Sequence, residues 1–310
     1  MTTVLPPAAR DLAPERALAA FAAERLPAVE QGIADAVAEM SLPAPAVRSA
    51  LRDALDIGGG QAHRWRPLVV LAAADACGAD RSAALDVAVA VELTHTASLV
   101  LDDLPCMDDA QLRRGRATTH RQLGEARAIL LAVGLLGRAV DGLGRAPSGN
   151  AALARGWGEA VGVPGMAGGQ AMDLEVRAGR SLRGAPRRLY RRKTTALAVF
   201  AAQAGGLVAD APPALLAALA RYGDYLGWAY QLQDDVDDLA EDGAGTGVGS
   251  VELAARRRAR LTRRAARALA RERWHRPASA GLLAAAAWRI ARVPDELRSH
   301  VEGPWETARC

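Results

Sequence analysis

Apolar residues recur every three to four positions along almost the whole chain, and the two-residue alternation of a half-buried strand is scarce. This period predicts helices over residues 14–40, 47–57, 66–77, 83–103, 119–143, 150–161, 165–177, 185–209, 213–241, 250–273 and 278–292. Residues 1–13 are punctuated by proline and are expected to be loose, and Pro27 is expected to bend or divide the first helix. Ser41–Pro45 reads as a turn, and Gly58, Gly59 and Gly60 should stop the helix before them. The segments 66–77 and 83–103 carry Ala and Val on most faces, as helices buried all round do. Pro105 lacks an amide donor and should end or kink the chain after the second of them. The clearest loop is Gly243–Gly249. No repeat of fixed period and no linker composition divides the sequence, so the expectation is an all-α fold with one helical domain over residues 14–310.

Composition supports that reading. The 310 residues are 50% apolar and 24% charged, a globular balance, and with aromatics at 4% helix formers dominate. A net charge of +4 permits anion binding without arguing for nucleic acid. Ten arginines fall between 256 and 276, but Ala255, Ala259, Ala266 and Leu269 keep an apolar stripe among them, the pattern of a solvated helix face. Cys77, Cys106 and Cys310 form neither a disulfide framework nor a metal-ligand spacing, which fits a reducing compartment. The N-terminus lacks the basic and apolar regions of a signal peptide, and the Ala/Leu runs fall short of the ~20 residues that span a bilayer. A cytoplasmic protein with no nucleic-acid partner and no stable membrane insertion is expected.

Two groups of aspartates stand out against this background: Asp102, Asp103 and Asp108, and Asp234, Asp235, Asp237 and Asp238. Carboxylates gathered in an apolar setting repel unless a cation joins them. Arginine ion pairs could supply the cation, but oxygen-only groups suit magnesium, which takes one or two carboxylates and leaves its other positions to water and phosphate oxygens. In the second group Asp234 and Asp238, and Asp235 and Asp238, share one side of a helix, with Gln231 one turn earlier; an exposed acidic helix end would read the same way. The first group is followed by Arg113, Arg114 and Arg116, whose guanidinium forks suit phosphate oxygens that a metal does not reach. His63, Arg64 and Arg66 form another basic group just after the triple glycine. Lys193 is the only lysine in a chain whose other cations are arginines, and a chance surface residue is the bland reading of it.

With these groups in place the chain resembles the trans-isoprenyl diphosphate synthases, and among them the geranylgeranyl diphosphate synthases of bacterial carotenoid pathways. The resemblance is carried by Val91–Thr119, Gly124–Ala126 with Ala128–Leu130, Gly165–Leu174, Lys193-Thr194 and Tyr230–Asp238, in the family's order over about residues 58–240. It implies a bundle of about 10–13 helices around a deep central cavity, the isoprenoid synthase fold. It implies a homodimeric prenyltransferase that joins isopentenyl diphosphate to dimethylallyl, geranyl or farnesyl diphosphate. Three Mg2+ ions would lie between the aspartate groups, with Asp102, Asp103 and Asp108 binding two and Asp234 the third, supported by Asp235 and Asp238. Arg113, Lys193, Thr194 and Gln231 would hold the allylic diphosphate, and His63, Arg66, His95 and Arg114 isopentenyl diphosphate. Ala97 and Ser98, five and four residues before Asp102, would face the growing tail, and their small size implies products beyond fifteen carbons, with geranylgeranyl diphosphate matching the resembling subgroup.

The chain departs from the family pattern at two places. His63 stands where the family has a lysine, and no lysine follows the second aspartate group between Gly243 and Leu253, where the glycine-rich loop is placed to act as a flap. The arginines from Arg256 onward are the candidate substitutes. A class I terpene cyclase on the same fold would have no use for Arg66, His95 and Arg114, and a non-catalytic regulatory subunit would have no use for intact aspartates.

Overall fold

The computed structural model describes residues 7–42, 44–146, 150–180, 188–189, 191–241 and 248–298, with backbone only at 7–13, 150, 238–241 and 248–250. Twelve α-helices are found among the described residues: α1 (Pro7–Glu39), α2 (Pro45–Ala54), α3 (Trp65–Cys77), α4 (Arg81–Asp102), α5 (Thr119–Leu123), α6 (Glu125–Gly144), α7 (Asn150–Val161), α8 (Met166–Arg177), α9 (Ala196–Val208), α10 (Pro213–Glu241), α11 (Val248–Ala270) and α12 (Pro277–Ile290). A π-helical turn, Arg191–Thr195, leads into α9, and β1 (Leu112–Arg113) pairs antiparallel with β2 (Arg116–Ala117).

The all-α expectation holds, and the core is made of small residues. α4 packs on α6 and α3, and α9 on α10 and α3, through buried Ala, Val and Leu such as Val70, Ala73, Val87, Leu135, Ala201 and Leu219. α4 is long and apolar enough to cross a membrane by composition, but 67% of that window is buried inside the bundle. Asp80 caps α4 by accepting from Ser82 N at 2.9 Å and Ala83 N at 3.1 Å. The stripe within the arginine-rich α11 is buried as expected, with Ala259 2% and Leu269 0% exposed.

Four expectations need correction. Residues 7–13 are helical and belong to α1, while residues 1–6 lie outside the described residues. The same helix runs on through Pro14 and Pro27; Val29, Ile33, Ala36 and Val37 are buried after Pro27 and hold the axis against the core. The helix expected over 119–143 is two, divided at Gly124, whose φ of 83° favours glycine. The helix expected over 185–209 is helical at 188–189 but passes through the π turn at 191–195 before α9. The flap expected at Gly243–Gly249 lies outside the described residues except that α11 has started by Val248.

The hairpin was not predicted. Its two central residues, Arg114 (φ 52°) and Gly115 (φ 73°), both have positive φ, as a tight turn matching the strand twist requires. Thr118 closes the segment, its N–H donating to Gln111 O at 3.1 Å and its hydroxyl to Ala110 O at 2.8 Å. Two adjacent arginines are thereby aimed from one rigid turn.

Helices α3 and α9 cross in close contact at Gly205, where an added Cβ would lie 2.3 Å from Val70 O and 2.5 Å from Ala74 N. Gly205→Ala should therefore destabilise the protein by about 2–3 kcal/mol, read as a lower urea midpoint.

Candidate functional site

The first aspartate group is built at the end of α4. Asp102 is the last helical residue, and the chain then folds back through Pro105 so that Asp108 N donates to Asp102 O at 2.9 Å. The hairpin returns Arg113 to the same place, where Nε donates to both Asp103 oxygens at 2.8 and 3.0 Å and Nη2 to Oδ1 at 2.6 Å. Asp108 Oδ1 pairs with Arg177 Nη1 of α8 at 2.8 Å. Burial pushes the Asp102 carboxyl up to about 6; the Asp108 and Asp103 charges add to the rise, while Lys193 and Arg113 oppose it.

Lys193 and Thr194 connect this group to the second. Their π turn lies against Gly169 of α8, where a Cβ would come within 2.4 Å of Lys193 N. Lys193 Nζ donates to Asp173 Oδ2 at 2.8 Å, and the same oxygen accepts from Arg177 Nη2 at 3.0 Å. The Thr194 hydroxyl donates to Gln231 Oε1, and Gln231 Nε2 donates to Asp235 Oδ1 at 2.9 Å. Polar contacts thus run from Asp108 through Arg177 and Asp173 to Lys193, and from its chain neighbour Thr194 through Gln231 to Asp235.

The second group occupies the last turns of α10. Asp237 turns to Arg292, whose Nη1 is 3.1 Å from Oδ2, and accepts from Gln233 Nε2 at 2.6 Å; Gln233 in turn accepts from buried Arg258. Arg258 and Arg292 are therefore cations held beside this group, whereas Arg256 pairs with Glu252 on the exposed face of α11. The side chain of Asp238 lies outside the described residues.

A third cluster gathers Arg64, Arg66, His95 and Arg114. Arg64 is buried, donating to Glu30 Oε1 at 2.7 Å, Glu92 Oε1 at 2.8 Å and Leu55 O at 2.6 Å, which fixes the chain entering α3. Arg66 follows in the first turn with its guanidinium 4.3 Å from the Trp65 ring centroid. Burial lowers His95 well below the ordinary histidine range, and Arg66, Arg114, Arg113 and Arg64 push the same way, so the imidazole is neutral at pH 7. His63 lies on the wall of a groove of about 510 Å3 with Trp65, Tyr230, Asp234, Arg289 and Arg292. Ala97 is fully buried, and Ser98 is half-buried with its hydroxyl donating to His95 O at 2.7 Å.

The sequence did not single out Asp173 or Arg177, because their partners lie on other elements; only their spacing of four on α8 was visible. Among the described residues no three carboxylates converge in a metal-binding arrangement. Asp103 and Asp108 are turned towards Arg113 and Arg177, and that accounts for it. The donor set is nevertheless oxygen-only, and the raised Asp102 marks a carboxylate whose charge a cation would relieve, which fits magnesium.

A sequence model of the polyprenyl synthetase family matches residues 45–252. The farnesyl diphosphate synthase of Bacillus subtilis is 35% identical over 241 residues, covering 75% of this chain and 80% of that one. The geranylgeranyl diphosphate synthase of Pantoea ananas is 37% identical over 226 residues, covering 69% and 74%. In structure, an FPP/GFPP synthase from Zymomonas mobilis superposes with a TM-score of 0.74 at 29% identity, covering 90% of this chain and 98% of that one. A geranyltransferase from Legionella pneumophila gives 0.74 at 28% identity, covering 90% and 97%. These solved structures share the helical architecture described above.

Asp102 supplies a test of the electrostatics. Its folded pKa of about 6 lies above the unfolded 3.8, so its ionised form destabilises the metal-free fold, fully above pH 6 and not at all below about 4. Asp102→Asn should stabilise the metal-free protein at pH 7.5 by about 2–3 kcal/mol, with the gain fading as pH falls through 6 to 4, in urea titrations at each pH.

Proposed function

The chain belongs to the polyprenyl synthetase family and is a trans-prenyltransferase, and from that premise we propose that it extends allylic diphosphates with isopentenyl diphosphate to the twenty-carbon geranylgeranyl diphosphate. The observation that carries the reading is the polar series joining the two aspartate groups through Lys193-Thr194, with a separate arginine and histidine cluster beside it. Such a site suits two diphosphates, one at the carboxylates and one at the cations.

In this reading Arg113, Lys193, Thr194 and Gln231 hold the allylic diphosphate. Asp102, Asp103, Asp108 and Asp234, with Asp235 and Asp238, would bind Mg2+, which when present neutralises charge developing on the leaving diphosphate. The allylic carbon–oxygen bond breaks and its electron pair leaves with the diphosphate. Lys193, a point charge on a flexible stem, can follow the departing oxygens, which the planar fork of arginine does less well. The alkene of isopentenyl diphosphate, held by Arg66, His95 and Arg114 with His63 near by, supplies the electrons of the new carbon–carbon bond. The departing diphosphate takes the proton lost in forming the new double bond, so no side-chain base is required. The buried Ala, Val and Leu around Ala97 keep water from the cation.

The small side chains of Ala97 and Ser98, five and four residues before Asp102, support the twenty-carbon product. Arg66, His95 and Arg114 disfavour a cyclase, which needs no second diphosphate site. A homodimer is favoured by one face of α6, where Ile129, Leu130 (68% exposed), Val133 (59%) and Val140 form an apolar stripe on the surface of the single chain.

Incubation with Mg2+, labelled isopentenyl diphosphate and each of the dimethylallyl, geranyl and farnesyl primers should yield geranylgeranyl diphosphate as the longest main product. A fifteen-carbon end product would overturn the chain-length assignment, and a cyclic hydrocarbon formed without isopentenyl diphosphate would replace the synthase reading. Lys193→Ala should lower kcat by about a hundredfold with the fold intact. Light scattering at micromolar concentration should give twice the 32.4 kDa chain mass.

A further inference from the structure

Arg66 is 7% exposed, and two aromatic rings lie within cation–π range of its guanidinium. Its Cζ lies 4.3 Å from the Trp65 ring centroid and 5.7 Å from that of Tyr230, and the two rings meet at 5.3 Å with 41° between their planes. Arg66 Nε has no hydrogen-bond partner, and neither does the indole N–H of Trp65. Trp65 precedes Arg66 in the first turn of α3, whereas Tyr230 comes from α10, one helical turn before Asp234.

Arginines inside proteins are commonly anchored by carboxylates, which consume their N–H donors, as Glu30 and Glu92 do for Arg64. An aromatic face attracts the same cation through its quadrupole and takes up no donor. Rings can therefore fix a guanidinium while leaving its N–H edge open to an anion. Burial weighs most heavily against the Arg66 charge and Arg114 adds to it, while Tyr230, Glu92 and Asp234 offset part of that; burial, with Arg66 and Arg114, also keeps His95 neutral. A group so placed gains from a bound anion and, without one, depends on its anchors to stay in position.

We propose that Trp65 and Tyr230 are positioning residues that hold the Arg66 guanidinium over their adjoining ring faces, so that its donors are preset for the diphosphate of isopentenyl diphosphate. The inference rests on the assignment of Arg66 to that substrate. The clamp works before any metal or allylic substrate arrives, and because Tyr230 stands one turn from Asp234 it ties this site to the second aspartate group.

Calorimetric titration of the full chain with isopentenyl diphosphate, without metal or allylic substrate, tests it. Trp65→Leu should raise Kd about tenfold, and in the complete assay raise KM for isopentenyl diphosphate similarly, with kcat within twofold and KM for the allylic substrate unchanged. Trp65→Phe keeps a ring face and should restore most of the affinity. Trp65→Met, which fills similar space without a ring, is the second variant should the leucine variant fail to fold, and the same loss is expected of it. Folded leucine or methionine variants with wild-type affinity, or an equal rise in both KM values, would overturn the clamp. Arg66→Gln separates the two levels. If it binds isopentenyl diphosphate as the wild type does, the assignment of Arg66 itself falls; if it loses binding while the Trp65 variants keep it, only the clamp falls.

Discussion

Everything around the first aspartate group is arranged to let carboxylates stand close together in an apolar bundle. Asp103 is almost wholly buried, and Asp102 is desolvated enough to hold its proton to about pH 6. Isolated carboxylates in such a place would be neutral or would unfold the segment. The chain meets the requirement with its own cations: Arg113 on Asp103, Arg177 on Asp108, and Lys193 beside Asp173. Each of these pairs is one that an incoming metal or diphosphate must exchange, so the energy of binding is a difference between two sets of ion pairs. Partly exposed pairs such as Arg177–Asp108, worth about 1 kcal/mol or less, are exchanged easily. The bidentate pair that the partly exposed Arg113 makes with buried Asp103 resists exchange more strongly.

Small residues make that arrangement possible at the level of packing. Gly205 lets α9 approach the backbone of α3, and Gly169 lets the π turn press against α8, which sets where Lys193 begins. Bulkier residues at either position would move an element by more than the tolerance of a hydrogen bond. The prevalence of alanine in the core is therefore tied to site geometry, since helices that pack through alanine can sit close and leave side chains at their ends in fixed relation.

Long helices were legible in the sequence because their apolar period is written many times over, as in 213–241, where the predicted start matches the observed one and the helix is unbroken through its described residues. What was not legible depends on partners distant in sequence or on too few residues to show a period. The hairpin that aims Arg113 and Arg114 has two-residue strands, although the Arg-Gly pair at its tip was a signal available for a turn with positive φ. The aspartates and Lys193 were visible as unusual composition, whereas Asp173 and Arg177 look like an ordinary pair on a helix surface. The setting of Arg66 against two adjoining rings needed the approach of Trp65 to Tyr230 of α10, which no local pattern encodes.

The two candidate diphosphate sites carry opposite charge, and that difference orders their use. The region of Asp102, Asp103, Asp108, Asp173 and Asp235 holds more carboxylates than the Arg113, Arg177 and Lys193 that face them. A diphosphate approaching it without a metal meets net repulsion. The region of Arg64, Arg66, Arg114 and His95 has Glu92 and Glu30 paired with Arg64, which leaves Arg66 and Arg114 as cations near one neutral imidazole. A diphosphate entering there relieves repulsion between those cations. One site is thus completed by added cations and the other by an added anion, although α4 carries both Asp102 of the first and His95 of the second.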